Sequence, residues 1–308
     1  MAGVFAKYGG QTALLVCAMI WGTGFIAQKL GMEFLEPCSF NASRSFIGAL
    51  ALIPVVMLMD CMGGRRPSVW GSAQSAAARR KLLIGGVACG AALGVAAMLQ
   101  QYGIKHTTIA KAGFISALYI LMVPILGLFI GRRTGKAIWV CCVSAMAGMY
   151  LLCCAGESTV GFGDMVTLGC AVVFAMHILV IARYAPEVDC VRMSLLQFLV
   201  AGVISILVAL AAGERPALMD FCRALPAVAY CGVMSSGVAY TLQVIGQRYV
   251  QPATASLLLS LESVFAALAA WIILKQTMNW TEFLGCAVIF VSVLAAQMPQ
   301  KTGENPVA

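Results

Sequence analysis

The sequence predicts an all-α integral membrane protein of ten transmembrane helices arranged as two inverted five-helix repeats. Three observations carry this expectation: a composition suited to lipid, long apolar runs between short polar breaks, and a likeness between the two halves of the chain. Of the 308 residues, 61% are hydrophobic and only 10% charged, whereas a water-soluble domain carries about 25% charged residues.

Stretches such as Ala13 to Ile26, Gly113 to Ile130 and Phe283 to Ala296 approach the roughly 20 residues needed to cross a bilayer. Backbone groups in lipid must be paired internally, which leaves helices or closed barrels, and these unbroken runs lack the alternation of barrel strands. Lys7 ahead of the first run imitates a secretory leader, but the run outlasts a leader's core and many similar runs come after it, so it reads as the first span.

Polar breaks, prolines and glycines place the spans at 11–31, 38–59, 82–103, 109–130, 136–155, 164–184, 192–212, 225–247, 252–274 and 279–297. With the amino terminus inside, Lys7, Arg65, Arg66, Arg79, Arg80, Lys81, Arg132, Arg133, Lys136, Arg183, Arg192, Arg248 and Lys301 gather on the cytoplasmic side. Lys29, Lys105, Lys111, Arg215, Arg223 and Lys275 fall outside, and Arg44 within a span. The bias predicts a multi-pass protein of the plasma (cytoplasmic) membrane with both termini in the cytoplasm. It also explains the formal charge of +8 without a nucleic-acid partner. Most of the 13 cysteines, including the pairs Cys141/Cys142 and Cys153/Cys154, lie within spans and read as small packing residues rather than disulfide partners.

Displacing the chain by 143 residues lays Gly94-Val95-Ala96 over Gly237-Val238-Ala239, Leu99-Gln100 over Leu242-Gln243 and Gly103 over Gly246. The register continues ungapped through Lys105 over Arg248, Ala110 over Ala253, Ala112 over Ala255 and Leu118 over Leu261. Five spans per half is an odd number, which makes the second half enter the membrane in the opposite sense. The expected division is 1–155, 156–298 and a cytoplasmic tail, 299–308. Inverted repeats are a recurrent transporter architecture, because exchanging conformations between the halves opens a midplane site to one side and then the other.

Several segments resemble the EamA family of the drug/metabolite transporter superfamily, over nearly the whole chain. Ile20-Trp21-Gly22-Thr23-Gly24-Phe25 is similar to the family's opening signature, and Phe40-Asn41-Ala42-Ser43-Arg44-Ser45-Phe46 to its arginine-containing second span. Lys111-Ala112-Gly113-Phe114-Ile115 through Tyr119 and Pro124 resembles the fourth span, and Ala253 through Phe265 the ninth. Ser263 stands where a proline commonly follows the glutamate, and Lys275-Gln276 where Gly-Glu is common. The resemblance implies a ten-helix secondary transporter, often an exporter of amino acids, metabolites or drugs, whose partners are a small solute, the bilayer and, where transport is coupled, protons.

Glu262 follows Pro252 by ten residues, so at about 1.5 Å per residue it sits roughly 15 Å into the membrane. A carboxylate at that depth is costly, which makes it either one half of a structural pair or the carrier of a coupling proton. Arg44, in the first turns of the second span, cannot shed its proton and must find a carboxylate, carbonyls or water, or anchor a solute carboxylate. Gln100 and Gln243 are repeat-equivalent amides, suited to a cavity wall or to bonding between helices. Trp21, Tyr119, Tyr240 and His177 are the other large polar-capable groups within spans, fit for an amphipathic cavity or for packing. Gly86, Gly90 and Gly94 share one helical face and permit close helix approach. Ser256, Ser260 and Ser263 form a small polar face of the ninth span, lining the pathway or touching a neighbour.

Other chemistry finds little support. Gly22 to Ala27 nominally fits a dinucleotide fingerprint but lies inside an apolar helix with no strand before it. Only His106 and His177 are present, and no CxxC or HExxH occurs, so neither a metal nor another cofactor is expected. Ser235 or Ser236 with His177 is an arrangement that an intramembrane serine hydrolase could use, at odds with the transporter pattern of the rest of the chain. A non-transporting sensor or scaffold would need a larger output segment than the loops and the tail Lys301 to Ala308 offer, and a channel would need a filter motif.

Overall fold

The computed structural model describes residues 2–64, 66–73, 75–106, 109–153, 161–275 and 278–298. Arg65, Cys154, Gln276, the 155/156 boundary and the tail 299–308 lie outside the described residues, as do the side chains of Lys7 and Lys111. Within them the regular structure is all helix, and ten stretches are long and apolar enough to cross a membrane.

The first three spans are α1 (Ala2–Gly31), α2 (Pro37–Met62) and α3 (Ala76–His106), and the fourth is interrupted, built from α4 (Ile109–Ser116) and α5 (Tyr119–Phe129). Next come α6 (Lys136–Cys153), α7 (Phe162–Tyr184) and α8 (Cys190–Ala211). The eighth span joins α9 (Leu218–Tyr230), a π-helical segment (Cys231–Tyr240) and α10 (Thr241–Gln247). The ninth is again interrupted, as α11 (Pro252–Leu259) and α12 (Leu261–Leu274), and α13 (Trp280–Gln297) is the tenth. The observed spans match the expected ones in number and order, but the first, third and eighth helices begin earlier, at Ala2, Ala76 and Leu218. In the third and eighth the early start carries charge. Their opening turns carry Arg79, Arg80 and Lys81 in one and Asp220 and Arg223 in the other, polar residues that end an apolar run without ending a helix.

Local chemistry fixes several starts. Pro37 and Pro252 occupy the first turns of α2 and α11, where a missing N–H costs nothing. Asp189 caps α8 by accepting from the Val191 and Arg192 amides at 3.0 and 3.1 Å. Asn279 and Glu282 cap α13 reciprocally, at 2.8 and 2.9 Å. The cysteines behave as small packing residues: among the described residues all but Cys61, Cys153 and Cys222 are buried.

Glycine sets the closest helix approaches, since lipid tails leave packing contacts as the main attraction between spans. The Gly86, Gly90 and Gly94 face of α3 lies against α8, and a Cβ on Gly90 would stand 2.6 Å from both the Gln197 carbonyl oxygen and Val200 Cβ. On the far side of the bundle, a Cβ on Gly285 of α13 would meet the Gly148 carbonyl oxygen of α6 at 2.6 Å. Gly90→Val is therefore expected to lower stability by about 1–3 kcal/mol, the range for overpacking a close contact. Gly9→Ala, at a position with nothing within 4 Å, should be neutral; thermal melting in detergent compares the two.

Helices α2 and α8 are clasped at both ends. At one end Glu214, just past α8, accepts from the Cys38 and Ser39 amides at 3.2 and 2.7 Å and from Ser39 Oγ at 2.6 Å. At the other, Arg192 reaches Asp60 Oδ2 and Asp189 Oδ2, each at 2.6 Å, and the Ser68 carbonyl through Nε and Nη2. Both Arg192 and Asp60 side chains are 2% exposed, so an arginine that the sequence assigns to a cytoplasmic flank is a buried bond between spans. Gly71 adopts φ +49° against this guanidinium, where a Cβ would fall 2.1 Å from Arg192 Cζ.

Candidate functional site

Polar side chains converge on a cavity at the centre of the bundle. Trp21, Phe25 and Gln28 of α1 form one wall, one face of a helix at spacings of four and three, with Arg44 of α2 and Gln100 of α3 beside them. The interrupted spans contribute Tyr119, Leu259 and Glu262, and α7 adds Phe174 and Ile178. Ser235 and Tyr240 of the π-helical segment and Gln243 of α10 complete the lining. Its volume is about 40 Å³, several times the minimum that holds one water and far below the ~300–1,000 Å³ of an occupied ligand pocket.

Tyr119 opens α5 and Glu262 lies in the first turn of α12, each just past the interruption of its span. The Tyr119 hydroxyl donates to Glu262 Oε1 at 3.4 Å, a long bond at the edge of effective geometry. The 143-residue displacement lays Tyr119 directly over Glu262, so the two partners of this bond occupy the same place in the register.

Arg44 is 4% exposed. Its Nε donates to Asn41 Oδ1 at 2.9 Å and its Nη1 to Gln28 Oε1 at 3.5 Å. Gln101 Nε2 donates to the same Gln28 oxygen at 2.5 Å, and Asn41 Nδ2 to Ser205 Oγ at 2.7 Å. Among the described residues no carboxylate stands within ion-pairing distance of Arg44. Amide oxygens orient the guanidinium and leave its charge uncompensated. Neither Gln28 nor Gln101 stood out in the sequence, although the Trp21, Phe25 and Gln28 spacing was a usable signal.

The aromatic wall is a tilted pair, Trp21 and Tyr240, with ring centroids 4.5 Å apart. Trp21 Nε1 donates to the Ser235 carbonyl oxygen at 3.4 Å, so the indole rests on the π-helical segment. Such segments widen the helix and displace its backbone bonds, a form frequent at functional sites. Its approach to α2 needs glycine: a Cβ on Gly232 would stand 2.5 Å from Ile47 and 3.1 Å from the Arg44 carbonyl oxygen.

His177 does not line this cavity. It is fully buried behind Tyr240, at 6.0 Å between ring centroids, with Nε2 3.1 Å from Gln197 Oε1. Its hydrogen-bond partner is thus Gln197 rather than Ser235 or Ser236. Ser256 and Ser260 are also fully buried and donate to carbonyls of their own helix, Ala253 and Leu257, at 2.8 and 2.7 Å; neither belongs to the lining. Among the described residues no cluster of His, Cys, Asp or Glu could hold a metal ion.

A ten-span bundle whose polar groups converge on a central cavity between two interrupted spans has the build of a membrane transporter. Comparison with known proteins agrees, and the chain belongs to the EamA-like transporter family, whose sequence profile matches residues 9–154 and again 161–296. It is 25% identical over 297 residues to an uncharacterized transporter of Archaeoglobus fulgidus, covering 92% of this chain and 84% of that one. It is 24% identical over 291 residues to the inner membrane transporter YedA of Escherichia coli K12, covering 92% and 88%. A probable terminal-alkyne amino-acid exporter of Streptantibioticus cattleyicolor is 31% identical over 118 residues, 36% of this chain and 40% of that one. A solved crystal structure superposes with a TM-score of 0.75 at 19% identity, covering 96% of both chains, which establishes the fold. The protein is a multi-pass membrane transporter of a small solute and not an enzyme.

Proposed function

We propose that the chain is a secondary transporter that works by alternating access and exports a small amphipathic metabolite carrying a carboxylate, of the size of an amino acid. The observation that carries this reading is the Arg44 guanidinium, without a carboxylate partner among the described residues, on the wall of a cavity that Glu262 and a Trp21–Tyr240 aromatic pair also line. A buried guanidinium with only amide partners is well suited to a bidentate carboxylate. Glu262 and Tyr119 offer an acceptor and a hydroxyl for the solute's polar end, and the aromatic rings take its apolar part. The exporter name of the Streptantibioticus relative supports the outward direction and the amino-acid class.

The two halves are read as inverted repeats, 1–155 and 156–298, a reading supported by the 143-residue register and the double match to the family profile. Both termini are assigned to the cytoplasm from the distribution of Lys and Arg, and the end carrying Arg192 and Arg248 then faces inward. A cavity of about 40 Å³ belongs to a contracted state that must open before it admits a solute.

Glu262 is the group assigned to proton coupling. Glu262→Gln protein is expected to retain solute counterflow in proteoliposomes and to lose accumulation driven by a pH gradient. A variant that still accumulated solute against its gradient would remove Glu262 from this role. The broader reading is tested by comparing metabolites inside and outside cells that overproduce the protein. A carboxylate-bearing solute enriched outside only with the unaltered protein supports export; flux that neither saturates nor shows counterflow would point to a channel instead.

A further inference from the structure

Beside the cavity, three helices carry buried side-chain polar atoms that have no hydrogen-bond partner among the described residues. They are His177 Nδ1 on α7, Ser194 Oγ and Gln197 Nε2 on α8, and Thr241 Oγ1, Gln243 Oε1 and both side-chain polar atoms of Gln247 on α10. Every one of these residues is at most 8% exposed, and His177, Ser194 and Gln197 are fully buried. Helix α10 packs against both α7 and α8, and the His177–Gln197 contact at 3.1 Å ties α7 to α8. Gln243 and Gln247 are four residues apart, hence neighbours on one face of α10. Buried polar groups are costly to leave unsatisfied, and where protein offers no partner, ordered water supplies one.

The seam has two defined ends. Gln243 lines the central cavity. Arg248, next to Gln247, lines a crevice of about 430 Å³ at the Arg192 end of the bundle, with Ile245, Tyr249, Asp189 and Glu187 among its other walls. Polar side chains on α10 thus extend from Gln243 at the cavity through Gln247, one turn on, to the helix end whose Arg248 and Tyr249 line the crevice.

We propose that the seam between α7, α8 and α10 is a water-binding path joining the central cavity to this crevice, through which the cavity fills and drains while it is closed to solute. This rests on the transporter reading in one respect only, the need for it. A cavity of about 40 Å³ that opens to the ~300 Å³ of a small ligand pocket exchanges on the order of nine waters, at ~30 Å³ each. A closed bundle without a hydrated branch has no route for them.

Radiolytic hydroxyl labelling of the unaltered protein in lipid nanodiscs tests the path, because radicals form from water bound inside the protein. Met193 and Met149 are both fully buried. Met193 stands four residues before Gln197 on α8, on the same helix face, and shares a buried cluster with Ile181 of α7 and Val244 of α10, whereas Met149 lies in the apolar core with Cys142, Ala145 and Ile289. Met193 is expected to label roughly tenfold faster than Met149, since only the former neighbours bound water. Equal rates would overturn the proposal. Gln247→Leu removes two unpartnered atoms of the line at once and should slow Met193 several-fold, leaving Met149 unchanged; a fast Met193 untouched by this substitution also overturns it. If Gln247→Leu does not fold, the comparison within the unaltered protein still decides. Transport assays play no part in these rates, so loss of the transporter reading and loss of the water path are separate results.

Discussion

Arg44→Gln protein is expected to reach the membrane in normal amount, melt at the same or a higher temperature, and bind and move its solute roughly a hundredfold less well. Losing the charged partner of a buried carboxylate costs about 2–5 kcal/mol, and each ~1.4 kcal/mol is tenfold in affinity. The direction of the stability change is set by the surroundings. Arg44 bonds to Asn41 and Gln28 and to no carboxylate among the described residues, so its removal relieves a buried charge rather than stranding one. Loss of function with gained stability is the signature of a group kept for its ligand. Substrate affinity and thermal melting measured on the same preparation check both halves; an unchanged affinity would take the anchor away from Arg44.

Arg192→Met should do the reverse. The substitution removes the guanidinium that Asp60, 2% exposed, holds at 2.6 Å, and breaking a buried pair from one side costs about 3–5 kcal/mol. It also releases the Ser68 carbonyl and the Asp189 carboxylate, each held by the guanidinium. A large fall in melting temperature is expected, and pairing the change with Asp60→Leu should recover part of it, because the buried carboxylate that lost this guanidinium is then absent. A melting curve for Arg192→Met that overlays the unaltered one would show that the clasp contributes nothing to stability. Two buried arginines in one bundle are thus expected to have opposite consequences, the difference being that Arg192 has carboxylates at ion-pairing distance and Arg44, among the described residues, has none.

The two arginines also mark the limit of reading from sequence. Arg44 stood out because it interrupts an apolar run. Arg192 did not, because it sits at a span boundary where the orientation bias expects a solvated cation. Glu262, Tyr119, Tyr240, Trp21, Gln100 and Gln243 were legible as polar groups at membrane depth, and the structure gathers all of them with Arg44 around one cavity. His177 was legible on the same ground and lies elsewhere, bonded to Gln197. Depth along a helix is a one-dimensional quantity that counting residues supplies; the direction in which a side chain points across the bundle depends on helix rotation. With apolar residues all round each span, no amphipathic stripe fixes that rotation in advance.

Solvent was enough for the sequence to determine the helices by itself. Lipid forbids unpaired backbone, so apolar runs of bilayer length had to be helices. Tertiary structure alone decided the rest: the interruptions at Ala117–Leu118 and Ser260, the π-helical stretch that carries Ser235 and Tyr240, the clasp at Arg192, and the amide-only surroundings of Arg44. Each of these depends on which side chains meet across helices far apart in the chain. In a bundle packed through glycine and small residues, those meetings are set by the fit of several spans at once.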